Sequence, residues 1–190
     1  MSRIGIGCKG LNHANWLTDY YPEDLPPEWR LSFYANDFSV LLLPPSEWQD
    51  LEWLEEQLEE FDGQLRIYCQ IEHDWPEEST AHHLKQMLGD NFAGWVSCSV
   101  QGYPEYISTD DQVNSSDSGL RYCAELGESL QSPVEVFILR NACSMAEARR
   151  LLELSAVNFM PDSAFVLISD KPQIEFMQQF RTLLEIMAIA

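Results

Sequence analysis

The amino-acid sequence predicts a single α/β domain in which strands and helices alternate along the chain. Three observations carry this reading: short β-rich runs recur, amphipathic helical patterns separate them, and several of the strands are apolar throughout, as a parallel sheet covered on both faces requires. With 190 residues and 45% hydrophobic content, the chain can bury one substantial core and is short for two, so the expected domain is 1–190.

The strands are expected at 3–7, 38–43, 65–71, 94–100, 134–139 and 164–169, about six in number and mainly parallel. Between the second and third, Ser46 with Gln49 makes a capping-box pattern. Trp48, Leu51, Leu54, Leu58 and Phe61 then form an apolar stripe that Asp62-Gly63 ends, which predicts one helix over 47–62. Its opposite face carries Glu52, Glu55, Glu56, Glu59 and Glu60. Ser144 with Glu147 opens a helix running to about Asn158, ahead of Pro161. Asp170 and Pro172 open the last, whose Ile174, Met177, Phe180, Leu184 and Met187 face a core. The segment 101–119 is rich in Ser, Asp and Gly and lacks a helical period, so it reads as a long polar surface loop with room for a short strand at 105–108. Strand-helix alternation of this kind builds βαβ units, in either an open doubly wound sheet or a barrel. An eight-stranded βα barrel takes about 250 residues, which makes this chain short for one.

Composition excludes several function classes. Lys and Arg total 11 against 31 Asp and Glu, a net charge of −20. Such a chain repels phosphate backbones and anionic lipid, so neither nucleic acid nor a membrane surface is an expected partner. Five cysteines, scattered and without a CxxC pair, argue for a reducing cytoplasm and against a disulfide frame or structural zinc. No stretch reaches the roughly 18 apolar residues of a membrane span, and the first residues lack a signal-peptide pattern. The expected location is cytoplasmic.

The opening residues also carry a resemblance. Ile4-Gly5-Ile6-Gly7, then Trp16, Tyr20-Tyr21-Pro22, Leu25-Pro26-Pro27, Trp29, Tyr34-Ala35 and Phe38-Ser39-Val40 stand in an order and spacing similar to the start of the domain of unknown function 72 (YecE-like) family. Weaker echoes are Glu72-His73-Asp74-Trp75 after the third strand, and Asp170-Lys171 after the last. The resemblance implies a shortened TIM-barrel-like (βα) fold of unassigned activity. It also marks departures: where the family's second strand continues Val-Glu-Ile-Asn, this chain has Val40-Leu41-Leu42-Leu43-Pro44, and no arginine precedes His73.

Ligands of parallel α/β folds sit beyond the carboxyl ends of the strands. That position selects Cys8, Lys9 and His13, then Glu72, His73 and Asp74, then Gln101, Arg140, Asn141, Asp170 and Lys171. Catalytic candidates are His13, Glu72, His73 and Asp170, since imidazole and carboxylate side chains serve acid-base chemistry. Lys9 and Arg140 are the anion-holding candidates, and Trp16 and Trp75 could line a pocket for a flat ligand or belong to the core. Asp74, Pro76 and Glu77-Glu78 equally suit a helix N-terminus. His82 and His83 point about 100° apart on a helix, so they cannot share a metal, and no metal site is expected. Gly5, Gly7 and Gly10 match the spacing of a dinucleotide fingerprint, but no helix opens at Gly10 and no acid ends the second strand, so no cofactor is expected.

Two functions remain. One is a non-catalytic, degenerate barrel relative whose acidic helix 47–62 meets a basic protein partner. The other is an enzyme or small-ligand binder, for an anionic or carbohydrate ligand, with its site at the strand ends.

Overall fold

The computed structural model describes residues 4–71, 76–97, 120–123, 135–139, 144–146, 149, 165–169 and 172–186. Strand β1 (Ile4–Lys9) leads into a short helix α1 (Trp16–Asp19), a 3-10 turn at Pro27–Trp29 and helix α2 (Arg30–Ala35). Strand β2 (Val40–Leu43) is followed by helices α3 (Pro45–Trp48) and α4 (Leu51–Glu59), then β3 (Arg66–Ile71), helix α5 (Glu78–Leu88) and β4 (Phe92–Ser97). Strands β5 (Leu120–Cys123), β6 (Glu135–Leu139) and β7 (Phe165–Ser169) precede the last helix, α6 (Ile174–Ile186).

The strands β1 to β4 are parallel neighbours with helices between them, so the expected α/β alternation is present. β7 pairs in parallel with both β6 and β1, and the neighbour order β1-β2-β3-β4-β5-β6-β7 closes into a barrel. The pairing is mainly parallel as expected, but the strand number differs and one strand is reversed. Seven strand segments are described in place of about six, and β5 runs antiparallel to both β4 and β6. Leu120-Arg121-Tyr122-Cys123 is too short to stand out by periodicity from the polar tract before it. The expected strand at 105–108 lies outside the described residues.

Every residue of β2 is buried, and all of β3 but Arg66, which explains their continuous apolar runs. β1 instead places glycine at the closest contacts: a Cβ on Gly7 would collide with the Val40 carbonyl oxygen of β2 and stand 3.0 Å from the Tyr34 hydroxyl. That hydroxyl donates to the Val40 carbonyl at 2.6 Å and accepts from the Cys8 amide at 2.9 Å, so one phenol ties α2 to both strands.

The predicted helix 47–62 is two helices. Pro45 starts α3 at its first turn, where a missing amide proton costs nothing. Ser46 therefore sits exposed inside α3, and the cap of α4 is Asp50, whose carboxylate accepts from the Trp53 amide at 3.1 Å. Trp48 is buried as the stripe predicts, and its indole donates to the Gln70 carbonyl at 2.8 Å and meets Trp95 edge to face at 5.5 Å. On α4, Leu54 is buried as the stripe predicts, and so is Gln57, which donates to the Pro27 carbonyl at 3.1 Å. Of the predicted helix 144–158, Met145, Ala146 and Arg149 are helical, and most of the remainder lies outside the described residues.

The core holds an aromatic cluster of Trp16, Tyr20, Tyr21, Phe33, Tyr34 and Phe38, with ring centroids 5.0 to 6.2 Å apart. Helix α6 packs on β1 and buries Phe176, Met177, Phe180 and Leu184, three of them matching the predicted stripe. Arg181 of α6 donates to the Asp37 carbonyl at 2.8 Å, which anchors the helix beside the end of α2.

Candidate functional site

Two strand ends meet at the carboxyl side of the barrel. Lys9 ends β1, Gly10, Asn12 and His13 follow it, and Pro44, Pro45, Ser46 and Glu47 follow β2; together they line an open cleft of about 410 Å³. Sequence reasoning places Lys9 and His13 here, and the structure brings both to the cleft wall. β1 runs to Lys9, so Cys8 and Lys9 belong to the strand and not to the loop after it.

The loop after β1 is held at almost every polar atom. Gly10 takes φ of +76°, a conformation side-chain-bearing residues avoid, and its amide donates to the Leu42 carbonyl at 2.8 Å. The Gly10 carbonyl accepts from the Cys8 thiol at 3.1 Å and lies 3.2 Å from His13 Nε2. The Leu11 carbonyl accepts from the Tyr21 hydroxyl at 3.3 Å, and Arg30 donates to the Asn12 side chain at 3.2 Å while stacking over the Tyr21 ring.

Glu47 is the residue that sequence reasoning misses. Its side chain is 8% exposed, and its carboxylate accepts from the Leu11 amide at 3.1 and 3.2 Å, the Asn12 amide at 3.3 Å and Asn12 Nδ2 at 3.4 Å. Burial pushes the carboxyl above the ordinary range, and the amide hydrogen bonds offset that only in part. In a helix over 47–62, Glu47 stands in step with Leu51, Leu54 and Leu58, on the apolar stripe and opposite the exposed glutamate row. An acid on an apolar stripe is a signal that reading the segment only as an acidic face passes over. A second signal is positional: Glu47 follows the end of a strand as closely as the candidates that the strand-end rule selects.

Compared with protein-family models, curated proteins and solved structures, the chain matches none.

The remaining candidates divide cleanly. Trp16 is fully buried, with its indole donating to the Pro172 carbonyl at 3.2 Å and His13 packed 4.7 Å from its ring, so it belongs to the core and not to the cleft lining. Cys8 is sealed, and burial drives its thiol far above the usual range, which removes the thiolate a nucleophile needs. Cys69 is sealed in the same way. His82 and His83 are exposed on α5 as expected. Pro76 precedes α5, whose N-cap is Glu77, so it does not fill the first turn. Glu72, His73, Asp74, Trp75, Gln101, Arg140, Asn141, Asp170 and Lys171 lie outside the described residues. Among the described residues no group of three metal-ligating side chains occurs, and no helix is long and apolar enough to cross a membrane.

Chemically, the cleft offers an ammonium, an imidazole, a hydroxyl and an amide on its walls. The two backbone amides best arranged to receive an anion already hold the Glu47 carboxylate.

Proposed function

We propose that this chain is a non-catalytic, reduced relative of βα-barrel proteins, kin to the YecE-like family, that acts by docking a basic protein segment against the outer face of α4. The barrel descent is supported by the parallel alternation of β1 to β4 and the return of β7 to β1; the ring differs from an eight-stranded parallel barrel in strand number and in the reversed β5. The observation that carries the functional reading is the exposed row Glu52, Glu55, Glu56, Glu59 and Glu60, set beside Trp29 at 51% exposure on the 3-10 turn that packs against α4. From residue 31 to residue 65 the chain has nine acidic residues and no lysine or arginine, so this face carries no compensating charge of its own in sequence. An exposed tryptophan beside an acidic row, with the neighbouring Arg30 turned to Asn12 and Tyr21, suits a partner with basic side chains around an apolar residue. The same charge disfavours nucleic acid, and with the cysteine usage it fits a cytoplasmic setting.

The test is fluorescence anisotropy with a labelled oligolysine peptide. Reversing Glu55 and Glu56 to lysine abolishes binding, whereas the same reversal of exposed Glu77 and Glu78 does not, and added salt weakens the wild-type complex. Equal effects of the two reversals sink the proposal.

A second reading is a small-ligand site in the cleft, favoured by the convergence of Lys9, Asn12, His13 and Ser46 at the ends of β1 and β2. Titration of a simple anion or sugar, followed through the His13 ring resonances, tests it.

A further inference from the structure

An arrangement at the cleft goes beyond the docking face and rests on the second reading, that the cleft takes a small ligand. Two consecutive backbone amides, those of Leu11 and Asn12, and the Asn12 side-chain amide all point at one carboxylate. Converging N–H groups of this kind hold oxyanions in many proteins, because each donor is fixed by the backbone and needs no reorganisation. Here the carboxylate belongs to the chain itself. It sits at the cleft wall and is not fully enclosed, and among the described residues no basic side chain forms an ion pair with it.

We propose that the Leu11 and Asn12 amides form an oxyanion seat that Glu47 fills from within, and that a small carboxylate or phosphate takes this seat when Glu47 withdraws.

The rest of the loop is braced independently of Glu47. Gly10 is held by Leu42, Cys8 and His13, Leu11 by Tyr21, and Asn12 by Arg30. The donors therefore keep their aim when the carboxylate leaves. Withdrawal of Glu47 needs only a turn of its own side chain, since α3 itself is fixed through Trp48, whose indole donates to the Gln70 carbonyl at 2.8 Å. The charged and titratable groups around it are Cys8 and Lys9 on β1, His13 on the loop, Tyr21 behind the loop and Arg30 on α2.

Chemical rescue of the full chain tests the seat. Thermal unfolding of Glu47→Ala is followed in sodium acetate, sodium phosphate and sodium chloride at matched ionic strength. The Tm of Glu47→Ala rises by about 3 °C more in acetate or phosphate than in chloride, while wild type responds equally to all three. The stronger of the two anions identifies the ligand class. Equal response of Glu47→Ala to all three salts overturns the proposal.

Should Glu47→Ala not fold, wild-type amide resonances supply the reading. Leu11 and Asn12 shift together as one carboxyl group titrates on acidification, and phosphate added at the acid end, where it is still an anion, moves the same two resonances. If phosphate moves only the His13 resonances, the seat is overturned and the cleft survives as a ligand site. If nothing moves, both fall.

Discussion

The indole of Trp16 donates a hydrogen bond to the Pro172 carbonyl at 3.2 Å, joining the segment after β1 to the start of α6 across 156 positions of sequence. The ring is fully buried between His13, Tyr20, Tyr21 and Tyr34. This contact joins the two ends of the chain on the side of the barrel where the cleft opens.

Trp16→Phe keeps most of the packing and leaves the Pro172 carbonyl without its donor. It lowers unfolding free energy by about 1–3 kcal/mol in urea titration, and Trp16→Ala by about 3–5 kcal/mol. A Trp16→Phe variant as stable as wild type removes this tie from the account.

Two glycines separate close approach from backbone conformation. Gly7→Ala pushes a methyl group into the Val40 carbonyl and costs about 3 kcal/mol, or yields no folded protein. Gly89 ends α5 at φ of +53° with nothing within 4 Å of a Cβ, so Gly89→Ala costs only the strain of that conformation, about 1–3 kcal/mol. Thermal melts of the pair rank them, and the reverse order contradicts the β1–β2 contact.

Tyr34→Phe removes the hydroxyl that serves Cys8 and Val40 together. A buried amide and a buried carbonyl each lose a partner, so the expected loss is about 2–4 kcal/mol in urea titration.

Cys8 and Cys69 are buried, and burial raises both thiols far beyond neutral pH. Alkylation at pH 8 followed by peptide mapping finds both unmodified in the native protein and modified in urea. Native labelling of Cys8 at the rate of a free thiol would falsify its placement.

Glu47 reverses the usual pH dependence of a carboxylate. Its folded value lies above the ordinary 4.5, so in the window upward from 4.5 the folded state binds more protons than the unfolded one. Stability contributed by this group is therefore present below that window and lost as pH rises through it. Urea titrations of wild type and Glu47→Gln across this range isolate the effect: the difference moves in favour of wild type as pH falls. A difference that moves the other way means that the amides outweigh burial.

Local chemistry made much of the frame legible. The apolar runs of β2 and β3 and the stripe Met177, Phe180 and Leu184 mark buried faces directly, because burial on both sides of a parallel strand, or on one side of a helix, imposes its own period. The residues that carry the family resemblance, Trp16, Tyr20, Tyr21, Tyr34 and Phe38, form the aromatic cluster of the core. That resemblance therefore speaks to packing more than to chemistry.

The chain by itself determined the alternation, the acidic face of α4 and the approach of Lys9 and His13 to one strand end. Tertiary structure alone decided the partners of Glu47 and the reversed direction of β5. A helical period puts Glu47 on the apolar side, in step with Leu51, Leu54 and Leu58, but cannot say which amides its carboxylate meets. The direction of β5 depends on which neighbours it pairs with, and four residues carry no period that specifies it. Hydrogen bonds between residues 36 positions apart, such as Leu11 to Glu47, exist only once β1 and β2 have paired.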